Sequence, residues 1–186
     1  MKIYLKNMVC PRCKIMVQAI LEALKIPYLS INLGEIELKG ALDAKKEEEL
    51  NEQFQAIGFE RIKDKKSQTI EQIKTLIIDL VHHQDNALES NLSAYLSKHL
   101  LQSYGVLSSL FSEAENQTIE HFYIAQKIEK VKELLTYDEL TLSEIALKLN
   151  YSSVAHLSRQ FKKVTTHTPT YFKQLKDKQR QQIDKL

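Results

Sequence analysis

The stretch LSRQFKK, residues 157–163, has a shorter counterpart in LSSLF, residues 107–111, displaced by 50 positions. In the downstream copy a short helical segment, LSEIALKL, leads through NYSS into VAHLSRQFKK. Asn150 tolerates the left-handed backbone that a tight turn needs, and Ser152 or Ser153 can cap the helix that follows. Two helices joined by such a turn make a helix-turn-helix unit. On the second helix Val154, Leu157 and Phe161 share one side by helical spacing. Ser152, Ser153, Ala155, His156, Arg159, Lys162 and Lys163 are left on the other. That second face is small, polar and basic, which suits a major groove: Arg and His can address base edges while Lys neutralises phosphate.

Upstream, LSAYLSKHLLQSYGVLSSLF places Leu107 and Phe111 where the later copy has Leu157 and Phe161, so a second two-helix unit is expected there. Between the copies, TIEHFYIAQKIEKVKELL has helical spacing and neither Gly nor Pro. At 1.5 Å per residue, about 20 residues of helix span roughly 30 Å, close to one turn of B-DNA. Two reading heads could enter neighbouring segments of double-stranded DNA.

Charge follows the same division. The chain has 186 residues and a formal net charge of +2. From residue 152 onward eight basic residues face two acidic ones, so that end carries +6 and the remainder −4. A polyanion is expected to bind the basic end.

The N-terminal third has another texture. KIYLK alternates as a strand, and PRCKIMVQAILEALK places Ile15, Ala19, Leu21 or Ile20, and Leu24 near a helical period. In PYLSINLGEIELKG, Tyr28, Ser30 and Asn32 alternate against Leu29, Ile31 and Leu33, and the chain turns at Gly34 as a hairpin. DAKKEEELNEQFQAIG sets Leu50, Phe54 and Ile57 on one face and ends at Gly58, before the strand-like FERIK. The order β-α-β-β-α-β is the ferredoxin-like arrangement. The expected fold class is therefore α+β: a ferredoxin-like domain over residues 1–64, a connecting helix over 65–89, an all-α domain with two helix-turn-helix units over 90–178, and a basic tail over 179–186. Thr69 and Gln72 are expected to cap the connecting helix, which could also pair two copies as a homodimer. Thr141 with Glu144 and Thr168 with Pro169 mark later helix starts.

The two cysteines, Cys10 and Cys13, stand three apart in MVCPRC, too close for an ordinary structural disulfide. At a helix start their thiolates are favoured. As soft ligands they suit copper(I), or zinc if other groups complete its shell. A redox disulfide, or a site that has lost its ligand while keeping the fold, are the competing readings. His82 and His83 are candidate additional ligands, with exposed polar surface the simpler reading. No run of about 18 apolar residues and no signal-peptide pattern is present, so a cytoplasmic protein without a membrane span is expected. The chain has no phosphate-cradling glycine loop, no HExxH and no nucleophile–base set, and an enzyme is not expected.

Residues from about 90 to 176 resemble the DNA-binding domain of AraC/XylS-type transcription regulators, notably in LSEIA, YSS, LSRQFKK and TPTYF. The resemblance implies that Ala155, His156 and Arg159 lie on the second recognition helix, with Ser103, Gly105 and Ser109 corresponding in the first. Asn150 and Thr166 stand where the family has Gly, Leu101 occupies the comparable turn in the first unit, and Ser109 replaces a common Arg. The first unit is thus poorer in positive charge. Residues 1 to about 63 resemble heavy-metal-associated domains of the copper-chaperone kind. That resemblance implies metal transfer at Cys10 and Cys13 with Met8 supporting the loop, although Asn7 replaces a frequent Gly. Together these imply a DNA-binding regulator sensing a soft metal or thiol ligand. The alternative is a metallochaperone or metal buffer whose helical half docks a protein.

Overall fold

The structure, a computed structural model, describes residues 1–88, 90–175 and 180–183. It is mixed α+β, mostly helical with one small antiparallel sheet. The chain divides into two compact units, Met1–Leu76 and Ile77–Leu186. Of the basic tail expected over 179–186, only 180–183 lie within the described residues.

In the first unit the elements run β1 (Lys2–Lys6), α1 (Pro11–Ala23), β2 (Tyr28–Asn32), β3 (Glu35–Leu38), α2 (Ala44–Ala56) and β4 (Glu60–Ile62). All strand pairs are antiparallel, in the order β2-β3-β1-β4. Alternation on β1 and β3 sends Ile3, Leu5, Ile36 and Leu38 into one core with Val17 and Leu21 of α1 and Leu50 and Phe54 of α2. Each such fully buried side chain contributes roughly 1.5–3 kcal/mol. α2 begins at Asp43, whose carboxylate accepts from Lys46 N at 2.8 Å. It ends in a reverse turn at Gly58, φ +82, where Gly58 N bonds Gln55 O and Phe59 N bonds Phe54 O.

Three local expectations are corrected. The buried stripe of α1 is Cys13, Val17 and Leu21, whereas Ile15 is 66% exposed and Ala19 lies outside. Cys13 belongs to the core, and counting it there rotates the face. On β2 a bulge between Tyr28 and Ser30 interrupts the alternation, so Tyr28 and Ile31 both pack on the core while Leu29 is exposed. Helix α3 (Lys65–His82) starts a turn earlier than Thr69. Asp64 accepts from Ser67 N at 2.8 Å there, and Thr69 sits inside the helix with its hydroxyl donating to Lys65 O. The helix stops at His82, short of 89, ahead of Asp85 and Asn86 in left-handed conformations.

The chain passes from one unit to the other within α3. The second unit continues with α4 (Leu92–Leu100), α5 (Tyr104–Glu115), α6 (Ile119–Tyr137), α7 (Leu142–Lys148), α8 (Val154–Thr165) and α9 (Pro169–Gln174). The Thr141–Glu144 capping box forms at α7, and Thr168 caps α9 ahead of Pro169. Ile128, Val131 and Leu135 of α6 share a core with Ile145, Ala146, Leu149, Leu157, Phe161 and Phe172. Residues 180–183 lie along α6: Arg180 bonds Glu133 at 3.1 Å, Gln181 N bonds Glu129 at 3.0 Å, and Ile183 O accepts from Gln126 at 2.7 Å. Among the described residues no helix is long and apolar enough to cross a membrane.

His82 is neither an exposed residue nor an available ligand. It is 9% exposed, and its Nε2 lies 2.8 Å from the Gln126 Oε1. Because the Gln126 amide donates to Ile183, its oxygen faces the ring and the imidazole donates. Burial outweighs the help from Gln126 and pushes the His82 pKa down to about 4; Lys130 and His83 lower it further while Glu133 opposes them. The native ring therefore stays neutral where the unfolded chain, with its ordinary value near 6.5, already takes a proton. Stability from this site is complete above about pH 6.5 and lost as pH falls toward about 4, on the order of 3 kcal/mol in total. Urea melts of wild type and His82→Gln should show the difference between them changing across that window and level above it.

Candidate functional site

Two bihelical units carry the candidate interface, α4–α5 and α7–α8. Their turns are built alike. Leu101 at φ 53 and Asn150 at φ 53 are both left-handed, and Ser103 and Ser153 are the N-caps of the second helices. Only Ser153 uses its side chain, accepting from His156 N at 3.1 Å. The buried pairs correspond across the 50-residue offset: Leu107 and Phe111, Leu157 and Phe161, all at 0% exposure. With those residues fixed inward, the helical period sets which residues face outward.

On α8 the outward set is Ala155, His156, Arg159, Lys162 and Lys163, preceded by Ser152 and Ser153, and all seven are exposed. Arg159 keeps its guanidinium on the surface, its Nε 3.4 Å from Ala155 O. Among the described residues no carboxylate pairs with Arg159, Lys162 or Lys163, whereas Lys173 is paired with Asp138 and Arg180 with Glu133. Among the described residues of this end, the unneutralised positive charge is thereby concentrated on α8.

His156 is held from two sides that its sequence position did not reveal. Ser152 Oγ lies 3.0 Å from its Nδ1, and the Tyr151 ring meets it edge-on at 5.3 Å between centroids. Tyr151 donates its hydroxyl to Gln160 at 2.8 Å and is itself covered by Lys127, whose Nζ stands 3.6 Å from the ring centroid. Burial pushes the Lys127 pKa down to about 8. The Tyr151 ring face compensates the buried cation, helped by the Tyr123 ring at 5.5 Å. Ser152 thus serves as a partner of His156 through Nδ1, leaving Nε2 as the outward nitrogen. A polar residue four before a histidine was the sequence signal for this pair.

On α5 the corresponding face differs. Ser103, Gly105 and Ser109 are exposed, and so is Val106, which sequence reasoning passed over; the charged residues of this helix are Glu113 and Glu115. Thr166, the C-cap of α8, is left-handed at φ 66, where a β-branched residue is strained and Gly is not. Thr166→Gly should raise stability by about 0.5–1 kcal/mol, read as a higher urea midpoint at unchanged slope.

Residues 96–174 match the helix-turn-helix domain family. The C-terminal part of the chain is thus an AraC-type helix-turn-helix domain. Uncharacterized HTH-type transcriptional regulators of Staphylococcus aureus strains MSSA476 and MRSA252 are each 36% identical to it over 96 residues, 52% of this chain. The match spans 12% of the length of these relatives. Two solved structures are also similar. A DNA-binding transcriptional dual regulator from Escherichia coli K-12 has 20% identity and a TM-score of 0.47, covering 56% of this chain and 88% of that one. The C-terminal domain of the two-component response regulator yesN from Fusobacterium nucleatum has 28% identity and a TM-score of 0.48, covering 55% and 99%.

In the first unit, Cys10 is the N-cap of α1 and Cys13 lies one turn inside, with their sulfurs 3.2 Å apart. Both are free thiols, Cys13 buried and Cys10 partly so. Burial raises the Cys10 thiol, but hydrogen bonds from Cys13 and Arg12 outweigh it and hold Cys10 below its ordinary value. Burial, then the hydrogen bond to Cys10, push Cys13 up. Cys10 is therefore the sulfur that ionises first. Met8 is 1% exposed beneath this loop. Asn7 adopts φ 69, a conformation Asn tolerates, and donates to Gly58 O at 3.0 Å, which explains how it replaces a Gly. Among the described residues no group of three or more His, Cys, Asp and Glu side chains could hold a metal ion. Two thiols equal the ligand number of a two-coordinate soft ion, whereas a four-coordinate zinc would need two further ligands.

Proposed function

We propose that this chain is a sequence-specific DNA-binding transcription regulator. The observation that carries the reading is the α8 face, where exposed Ala155, His156, Arg159, Lys162 and Lys163 lie opposite buried Leu157 and Phe161. The helix-turn-helix match over residues 96–174 and the names of the relatives support it. Arg159 and His156 address base edges, and Lys162 and Lys163 take phosphates. α6, with 19 residues, is roughly 29 Å long, near the rise of one B-DNA turn, so the units flanking it enter successive major-groove segments. Titrating salt against binding of wild type to selected duplexes tests this: affinity falls steeply with salt in a regulator, whereas a chain that retains no duplex is not one.

We further propose that residues 1–64 form a ferredoxin-like module of the heavy-metal-associated kind, that 65–89 connect it to a DNA-binding domain over 90–178, and that Cys10 and Cys13 receive a soft metal or an oxidant. The β-α-β-β-α-β order, the strand order β2-β3-β1-β4 and the thiol contact support this. When bound, copper(I) would be held by Cys10 and Cys13 through their thiolates. Replacing both cysteines by serine is expected to leave DNA affinity in metal-free, reduced buffer unchanged and to remove any response to copper, zinc or oxidant. Wild-type affinity that is indifferent to all three would end the sensing proposal while leaving DNA binding intact.

A further inference from the structure

The α5 helix carries a glycine that its own fold does not require. Gly105 has no left-handed φ, and a Cβ built on it would meet nothing within 4 Å. In a helix a glycine is less favourable than alanine, and empty space offers no internal reason for it. A bare backbone facing open space leaves room for close approach by something outside the chain. Beside it stands Val106, 56% exposed, at the position that His156 holds on α8. Gly105 and Ser109 hold those of Ala155 and Arg159, and buried Leu107 and Phe111 fix the correspondence.

One exposed valine is ordinary on a protein surface. Its register here gives it meaning. The face has no cation with which to hold phosphate, and the charged side chains of α5 are Glu113 and Glu115 near its far end. On the edges of base pairs in the major groove, the group that an uncharged, apolar side chain recognises is the 5-methyl of thymine. A β-branched side chain is stiff at χ1 and loses little freedom in making that contact.

We propose that Val106 reads a thymine methyl group, with Gly105 admitting the helix close to the base edges, so that α5 is an apolar reading head beside the cationic one on α8. This rests on the DNA-binding reading above. The methyl can be removed alone by replacing thymine with uracil, one position at a time, in a duplex selected by the wild-type chain from a random pool. Wild-type affinity is expected to fall about fourfold at one thymine, the value of one buried methyl group. Val106→Ala should bind the thymine duplex more weakly and show no uracil penalty at that position. Gly105→Leu should lose at least about tenfold in affinity while its urea midpoint stays at or above the wild-type value. Wild-type binding that ignores uracil at every thymine overturns the proposal, as does a Val106→Ala variant with the full uracil penalty. In both results salt-sensitive binding persists and the regulator reading stands; a chain that holds no duplex defeats both.

Discussion

Replacing Arg159, Lys162 and Lys163 together by alanine is expected to lower affinity for the selected duplex roughly 10³-fold at about 0.1 M salt. Without the two lysine charges on phosphate, the slope of log affinity against log salt becomes shallower by about 1.8, worth nearly two decades at that concentration. An arginine paired to a guanine edge adds about 1–3 kcal/mol, mostly as discrimination. The components separate in single variants: Lys162→Ala and Lys163→Ala weaken binding evenly across sequences and flatten the salt dependence, while Arg159→Ala relaxes preference at one base pair. All three side chains are exposed and unpaired with any carboxylate among the described residues. Stability in urea should therefore stay within about 0.5 kcal/mol of wild type. A triple variant with wild-type affinity and salt slope would remove α8 from the interface.

What the sequence disclosed about this surface depended on how local each signal was. Helix starts at Thr141 and Thr168 were readable because a cap and its partner lie within one turn. The inward residues of α8 were readable because Leu157 and Phe161 have helical spacing and a repeat 50 residues upstream supplies a second copy. Where burial depends on distant packing, spacing misled. Cys13 reads from its spacing as chemistry alone and also packs in the core, which turned the face of α1 and left Ile15 outside. The β2 bulge cannot be read from alternation, since a single extra residue changes which side every later residue faces. His82 looked like surface because it ends a helix, yet Gln126, 44 positions away, bonds it in the interior. Neither holder of His156 was read from the sequence: Ser152, one turn before it, reads as a cap or a duplex-facing residue, and Tyr151 is covered by Lys127 only through the packing of α6.

Those departures bear on the backbone too. Asn7, Asn150 and Thr166 replace glycine where left-handed φ is required, at 69, 53 and 66. Asparagine meets that requirement cheaply and threonine does not. A substitution that looks equivalent from a resemblance alone is thus separated by its physical cost, which is why Thr166→Gly, and not Asn150→Gly, is the stabilising change expected to be measurable.

Phe161→Ala should lose DNA binding by the opposite route, through the platform and not the face. Phe161 is fully buried, meets Phe172 at 5.5 Å between ring centroids in a T-shaped contact, and belongs to the core around Ile128, Val131 and Leu135 of α6. Truncating it removes both transfer energy and packing and leaves a cavity, at a cost of about 3–5 kcal/mol. That is a large share of the roughly 5–15 kcal/mol that holds a domain together. Phe161→Leu keeps most of the volume and should cost under about 1.5 kcal/mol. Phe111 is the corresponding anchor of the first unit, 5.7 Å from Phe122, and Phe111→Ala should cost a similar amount. Urea melts followed by circular dichroism give the stabilities, and duplex titration at a temperature where each variant is folded gives the affinities. Arg159 and Phe161 lie two positions apart on one helix but on opposite faces. The arginine variant should lose base discrimination with stability intact, and the phenylalanine variant should lose stability first and affinity only as α8 is released. A Phe161→Ala chain that unfolds at the wild-type midpoint would mean that Leu157 and Phe161 do not anchor α8, and the outward assignment of Arg159 would lose its physical basis.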